Sequence, residues 1–206
     1  MSALAGWIEG RMLIAVGVLL AIIATPLGST LASTMVGHVL IQIPLLGAAG
    51  FVLGKSLEPK IEATLRTWNA GGIPGILLAS LAIAFWMIPR WLDGAVTSTA
   101  VDMAKYGSVV LLAGVPLGWS WDRLHPIARG VVKIEFLAML FRLGWLYLIS
   151  PDRFCNNYLL TDQVWLGRGL VIVGIALCIT WLIPLFFGEF SQDRAAPAES
   201  GRATPG

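Results

Sequence analysis

Six apolar runs occupy most of the chain: residues 12–28, 31–54, 73–91, 101–121, 131–150 and 164–187. A helix needs about 17–25 largely apolar residues to cross the hydrocarbon core of a bilayer. Inside that core every backbone N–H and C=O must find a partner within the protein, so spanning runs of this kind fold as helices. Only 13% of the residues are charged and 57% are hydrophobic, whereas a soluble domain carries about 25% charge. Lipid-facing helix surfaces need apolar side chains as well as buried ones, and that accounts for the excess. The expected fold is therefore all-α, a polytopic transmembrane helix bundle of about six helices over residues 1–190, with membrane lipid as its surroundings.

The remaining stretches fit this frame. Residues 191–206 turn to Ala, Pro, Gly, Ser and charge, which cannot bury a core, so a disordered cytoplasmic tail is expected. The first run reads either as an uncleaved helix or as a signal peptide, with Arg11 before a short apolar stretch. Nine Trp against three Tyr suit anchoring at membrane interfaces. The net charge of +2 and the lack of a basic run give no reason to expect nucleic acid as a partner. Cys155 and Cys178 form no disulfide framework, and no C-x-x-C or H-x-x-x-H spacing is present.

Lys and Arg in short loops set orientation. Lys55, Lys60, Arg66, Arg123, Arg129, Lys133, Arg11, Arg194 and Arg202 fall on one side. Arg90, Lys105, Arg153 and Arg168 fall on the other, and Arg142 lies within the fifth run. This bias places both termini in the cytoplasm of, for a bacterial chain, an inner membrane. Gly50-x-x-x-Gly54 and Gly114-x-x-x-Gly118 are small-xxx-small patterns that allow close helix approach.

Few residues offer chemistry. His38 lies inside the second run, with Met35 three residues before it and Gln42 four after, on one helix face. Imidazole beside thioether suits Cu(I), a soft ion; the alternative is a histidine hydrogen-bonded to a neighbouring helix. Arg142 sits where charge is expensive. Glu135 is seven residues away, about 10 Å along the axis, so a carbonyl, a cavity or a carboxylate on another helix is the expected partner. The topology also gathers Met87, Asp93, Asp102, Tyr106, Asp162 and Gln163 at the outer side with His38. His125 reads as a solvated loop residue. No nucleotide-binding loop and no catalytic triad is present, so enzymatic turnover is not expected.

At these residues the sequence resembles the multi-spanning CtaG-type cytochrome c oxidase assembly factors. Thr34-Met35-Val36-Gly37-His38 with Pro44-Leu45-Leu46-Gly47 is similar to that family's second-helix His motif. The stretch from Trp86-Met87-Ile88-Pro89 to Asp93-Gly94-Ala95 is similar to its Trp-His-x-Pro-x-x-Tyr-Asp-x-Ala signature, and Asp162-Gln163 to its acidic-Gln pair. Thr34, Met87 and Tyr106 stand where the family has His. The resemblance implies an inner-membrane factor linked to copper handling or oxidase assembly, with oxidase subunits or copper proteins as partners. On that basis Met35, His38 and Met87 are candidate Cu(I) ligands; Asp93, Tyr106, Asp162 and Gln163, gathered at the same side, and Arg142, a charge within the fifth run, are further site candidates. Two other readings stand beside it: a structural or interaction protein that has lost the metal, and a small-solute transporter with Arg142 on its pathway.

Overall fold

The computed structural model describes Ile14, Val16, Gly17 and residues 28–56, 67–155 and 157–187. Most of the first run, with its signal-peptide alternative, and the tail from 191 lie outside the described residues. All regular structure among the described residues is helical. After the short turn α1 (Gly28–Leu31) come α2 (Gly37–Lys55), α3 (Ile73–Trp86), α4 (Pro89–Thr97), α5 (Thr99–Trp121), α6 (Pro126–Ile149) and α7 (Leu160–Phe187). The chain is an all-α polytopic transmembrane bundle. Three helices are long and apolar enough to cross a membrane: Gly37–Lys55, Thr99–Trp121 and Leu160–Pro184.

The third apolar run is not one straight span. It breaks after Trp86, and α4 turns by 68° from α3. Pro89 is the cause. It disfavours helical backbone at Ile88, which is extended at φ −70°, ψ 122°. Pro89 then opens α4 at its first position, where its missing N–H costs nothing. Asp93 consequently lies within a helix and not in a loop.

The glycine patterns pair with each other. A Cβ on Gly50 would meet the Val110 carbonyl oxygen at 2.3 Å, and one on Gly54 would meet that of Val115 at 2.2 Å. One on Gly114 would meet the Gly47 oxygen at 2.6 Å, and one on Gly118 the Phe51 oxygen at 2.1 Å. Contacts therefore climb together along both helices, so α2 and α5 run parallel, backbone on backbone. Each carries a π-helical segment, Gly37–Gln42 and Val109–Gly114, at or near this seam. Helix α3 runs antiparallel to α5. Trp86 Nε1 donates to Ser108 Oγ at 2.7 Å near one end, and Asn69 Nδ2 donates to Ser120 Oγ at 2.8 Å near the other. Asn69 Oδ1 also accepts from Gly75 N at the start of α3. The turn before α3 needs Gly72, whose φ is +73°.

Helices α6 and α7 pair antiparallel along their length. A Cβ on Gly144 would meet Val171 Cγ2 at 2.8 Å, and one on Gly174 would meet the Phe141 ring at 3.1 Å. Lys133 Nζ lies over the Trp181 ring. Helix α6 has 24 residues, enough to span, but carries Lys133, Glu135 and Arg142 along its length. Through α7 this pair touches the start of α2. The order across the described helices is thus α3, α5, α2, α7, α6, with α6 at the rim.

Candidate functional site

The ends of α2, α3, α5, α6 and α7 that meet α4 and the 150–159 loop enclose a polar cluster. Its centre is Lys105, fully buried at 0% exposure. Its ammonium donates to His38 Nε2 at 2.7 Å and Gln42 Oε1 at 3.0 Å, and pairs with Asp102 Oδ1 at 2.8 Å. Those three partners match the three protons of a lysine ammonium. Gln42 Nε2 donates onward to the Tyr106 hydroxyl at 3.0 Å. The π-helical turn matters locally, since both His38 and Gln42 belong to it and both face Lys105.

The His38 tautomer follows from its neighbours. Tyr158 OH donates to the Ala32 carbonyl at 2.9 Å, which commits its only proton. Burial pushes the Tyr158 hydroxyl well up, with Cys155 and Asp93 adding to the effect, so it stays protonated. His38 Nδ1, 2.9 Å from the same oxygen, must therefore be the donor. Its Nε2 lone pair is what Lys105 bonds. Both ring nitrogens are thus engaged, one of them by a cation.

That arrangement does not fit the expected Cu(I) ligand set. A copper ion at His38 would have to displace the ammonium from Nε2 or the tyrosine from Nδ1, and in the first case would sit beside a positive charge. Met35 is fully buried in the apolar cluster, and Met87 packs against the same cluster. Both are core side chains of the apolar cluster that includes Trp86, Leu92, Tyr106 and Tyr158. The structure favours the other reading of His38, a histidine hydrogen-bonded between elements.

The remaining candidates divide. Tyr106 belongs to the cluster through Gln42. Gln163 fixes the loop above it: Oε1 accepts from Phe154 N at 3.1 Å, and Nε2 donates to the Asp152 carbonyl at 3.2 Å. Asp162 Oδ2 accepts from Leu159 N at the start of α7. Asp93 lies at the same end, its carbonyl accepting from Asn157 Nδ2. Arg142 does not join them. It lies on the outer face of α6 and pairs directly with Glu135, with Nε donating to the Ala138 carbonyl. The expected 10 Å gap is real for the backbone, but two long side chains leaning towards each other close it. Arg142 lines no interior pathway among the described residues.

Sequence reasoning missed Lys105 and Tyr158. Lys105 counts towards orientation as a loop charge, yet its position in the fourth run, three residues after Asp102, is the signal of a buried pair. Tyr158 gives no signal, because only the folding of the 150–159 loop over α2 brings it to His38.

Cys155, at 2% exposure, lies in that loop. Burial, the Asp93 charge and a hydrogen bond from the thiol to the Asp93 carboxylate push its pKa up to about 12. The thiolate is therefore scarce at pH 8, and maleimide should label native Cys155 slowly in a Cys178→Ser background and quickly after unfolding. Equal rates in both states count against the packed loop. Because the folded form holds this proton more tightly, stability is retained below the ordinary thiol pKa near 9 and falls as pH rises towards 12.

No family model, curated protein or solved structure matches the chain.

Proposed function

We propose that this chain is a non-catalytic membrane interaction factor, acting in oxidase assembly or copper handling through association and without a metal at His38. The clients would be oxidase subunits or copper proteins, the setting a bacterial inner membrane with both termini cytoplasmic. The observation that carries this reading is the capture of both His38 nitrogens, one by the Lys105 ammonium. The resemblance of the Met35–His38, Trp86–Ala95 and Asp162–Gln163 stretches supplies the client class. Transport has less support: below the polar cluster, the glycine seam of α2 and α5 leaves no width even for a methyl group.

The test replaces both thioethers while keeping side-chain volume. In a Met35→Leu, Met87→Leu double variant, oxidase activity in cells should stay within about twofold of wild type, because such swaps are well tolerated in cores. Affinity-tagged wild-type and variant chains should bring down the same oxidase subunits or copper proteins. Lost oxidase activity with the variant still present in membranes sinks the metal-free reading. Failure of the wild-type chain to bring down any such protein sinks the association reading.

A further inference from the structure

Glu135 and Arg142 form an ion pair on the face of α6 that no described helix covers. Their side chains are 69% and 66% exposed. Val131, Trp145 and Ile149 are exposed with them, while Leu140, Gly144 and Tyr147 face the bundle. The depth of the pair follows from α7. Phe141 packs on Gly174 and Gly144 on Val171, so Arg142 lies level with the middle of the 25-residue span Leu160–Pro184. Arg142 therefore sits near the bilayer midplane, where charge facing lipid is costly, and Glu135 lies two turns away, about 10 Å nearer the end of that span.

We propose that this face of α6 is a docking surface for a transmembrane helix of another protein that carries a hydrogen-bond acceptor, carboxylate or amide, at the level of Arg142. The chemistry follows from the unspent donors. A guanidinium has five N–H groups. Glu135 and Ala138 take two, which leaves three without a partner among the described residues. A second copy of this chain fits less well. A twofold axis along the membrane normal sets like residues opposite each other, which brings Arg142 against Arg142. The inference rests on the reading of the chain as an interaction factor and gives that reading a contact surface.

The experiment needs no knowledge of the client. The full chain, fluorescently labelled, is placed in phosphatidylcholine vesicles with a labelled Leu/Ala transmembrane peptide carrying one glutamate at its centre. Energy transfer should show association about five- to thirtyfold tighter than for the same peptide with leucine there. A Glu135→Leu, Arg142→Leu variant keeps the helix, makes the face apolar, and should bind both peptides alike. Equal binding of the two peptides to wild type overturns the proposal. So does transfer between two labelled copies of the chain that is lost in the double variant, since it assigns the face to self-association. Oxidase activity and client recovery are measured separately, so failure here leaves the proposed function standing.

Discussion

Gly118→Ala should destabilise the chain by about 3 kcal/mol or leave no folded protein, although it adds one methyl group. The added Cβ would lie 2.1 Å from the Phe51 carbonyl oxygen and 2.8 Å from its carbonyl carbon. These are backbone atoms of a facing helix, so no rotamer change can relieve the clash and α2 must move away from α5. Such movement separates the whole seam, from Gly54 against Val115 up to Gly50 against Gly114. It also draws His38 and Gln42 away from Lys105. Gly47→Ala is the matched control. A Cβ there meets nothing within 4 Å, so this variant should gain up to about 1 kcal/mol from helix propensity. Unfolding of both variants in mixed detergent micelles measures the difference. Equal stabilities for Gly118→Ala and wild type would falsify the backbone-on-backbone seam.

The contrast shows what could be read from the residues. Both glycine patterns are visible in the sequence, and so is the helical, membrane-spanning character of the runs that carry them. That the two patterns meet is not visible, because each is only permissive and pairing depends on which helices become neighbours. Helix breaks were partly legible. Pro89 is written in the third run, yet the apolar length around it hides the 68° turn it makes. The site was legible by location more than by chemistry. The charge rule collected His38, Tyr106, Asp93 and Gln163 at one end, and there the bundle holds them. It also treated Lys105 as a loop cation, since counting charges takes no account of burial.

The same limit explains Arg142. An arginine in an apolar run suggests an interior partner, because that is where lipid cannot reach it. The rim position depends on which face of α6 meets α7, and the glycines at 144, 167 and 174 decide that by allowing close approach. Lys105 and Arg142 thus have opposite fates. Lys105 is sealed inside with a full set of acceptors. Arg142 stays at the edge with donors to spare.

Lys105→Met tests the sealed one, and should cost about 3 kcal/mol, the lower end of the range for breaking a buried ion pair. The lower end applies because Asp102 is 24% exposed and regains some solvation. Methionine keeps most of the aliphatic stem, so lost packing contributes little. The loss comes instead from the groups left behind: the Asp102 carboxylate without its cation, and the His38 Nε2 and Gln42 Oε1 acceptors without their donor. Adding Asp102→Asn removes the stranded charge. The double variant should therefore be more stable than the sum of the single effects predicts, by about 1 kcal/mol or more. Thermal unfolding in detergent gives all three values. Strict additivity would mean that Lys105 and Asp102 do not act as a pair, and a neutral Lys105→Met would mean that the cluster does not hold α2 to α5. A large loss in Lys105→Met with partial recovery in the double variant makes the ammonium the tie between α2 and α5, with His38 serving it as an acceptor.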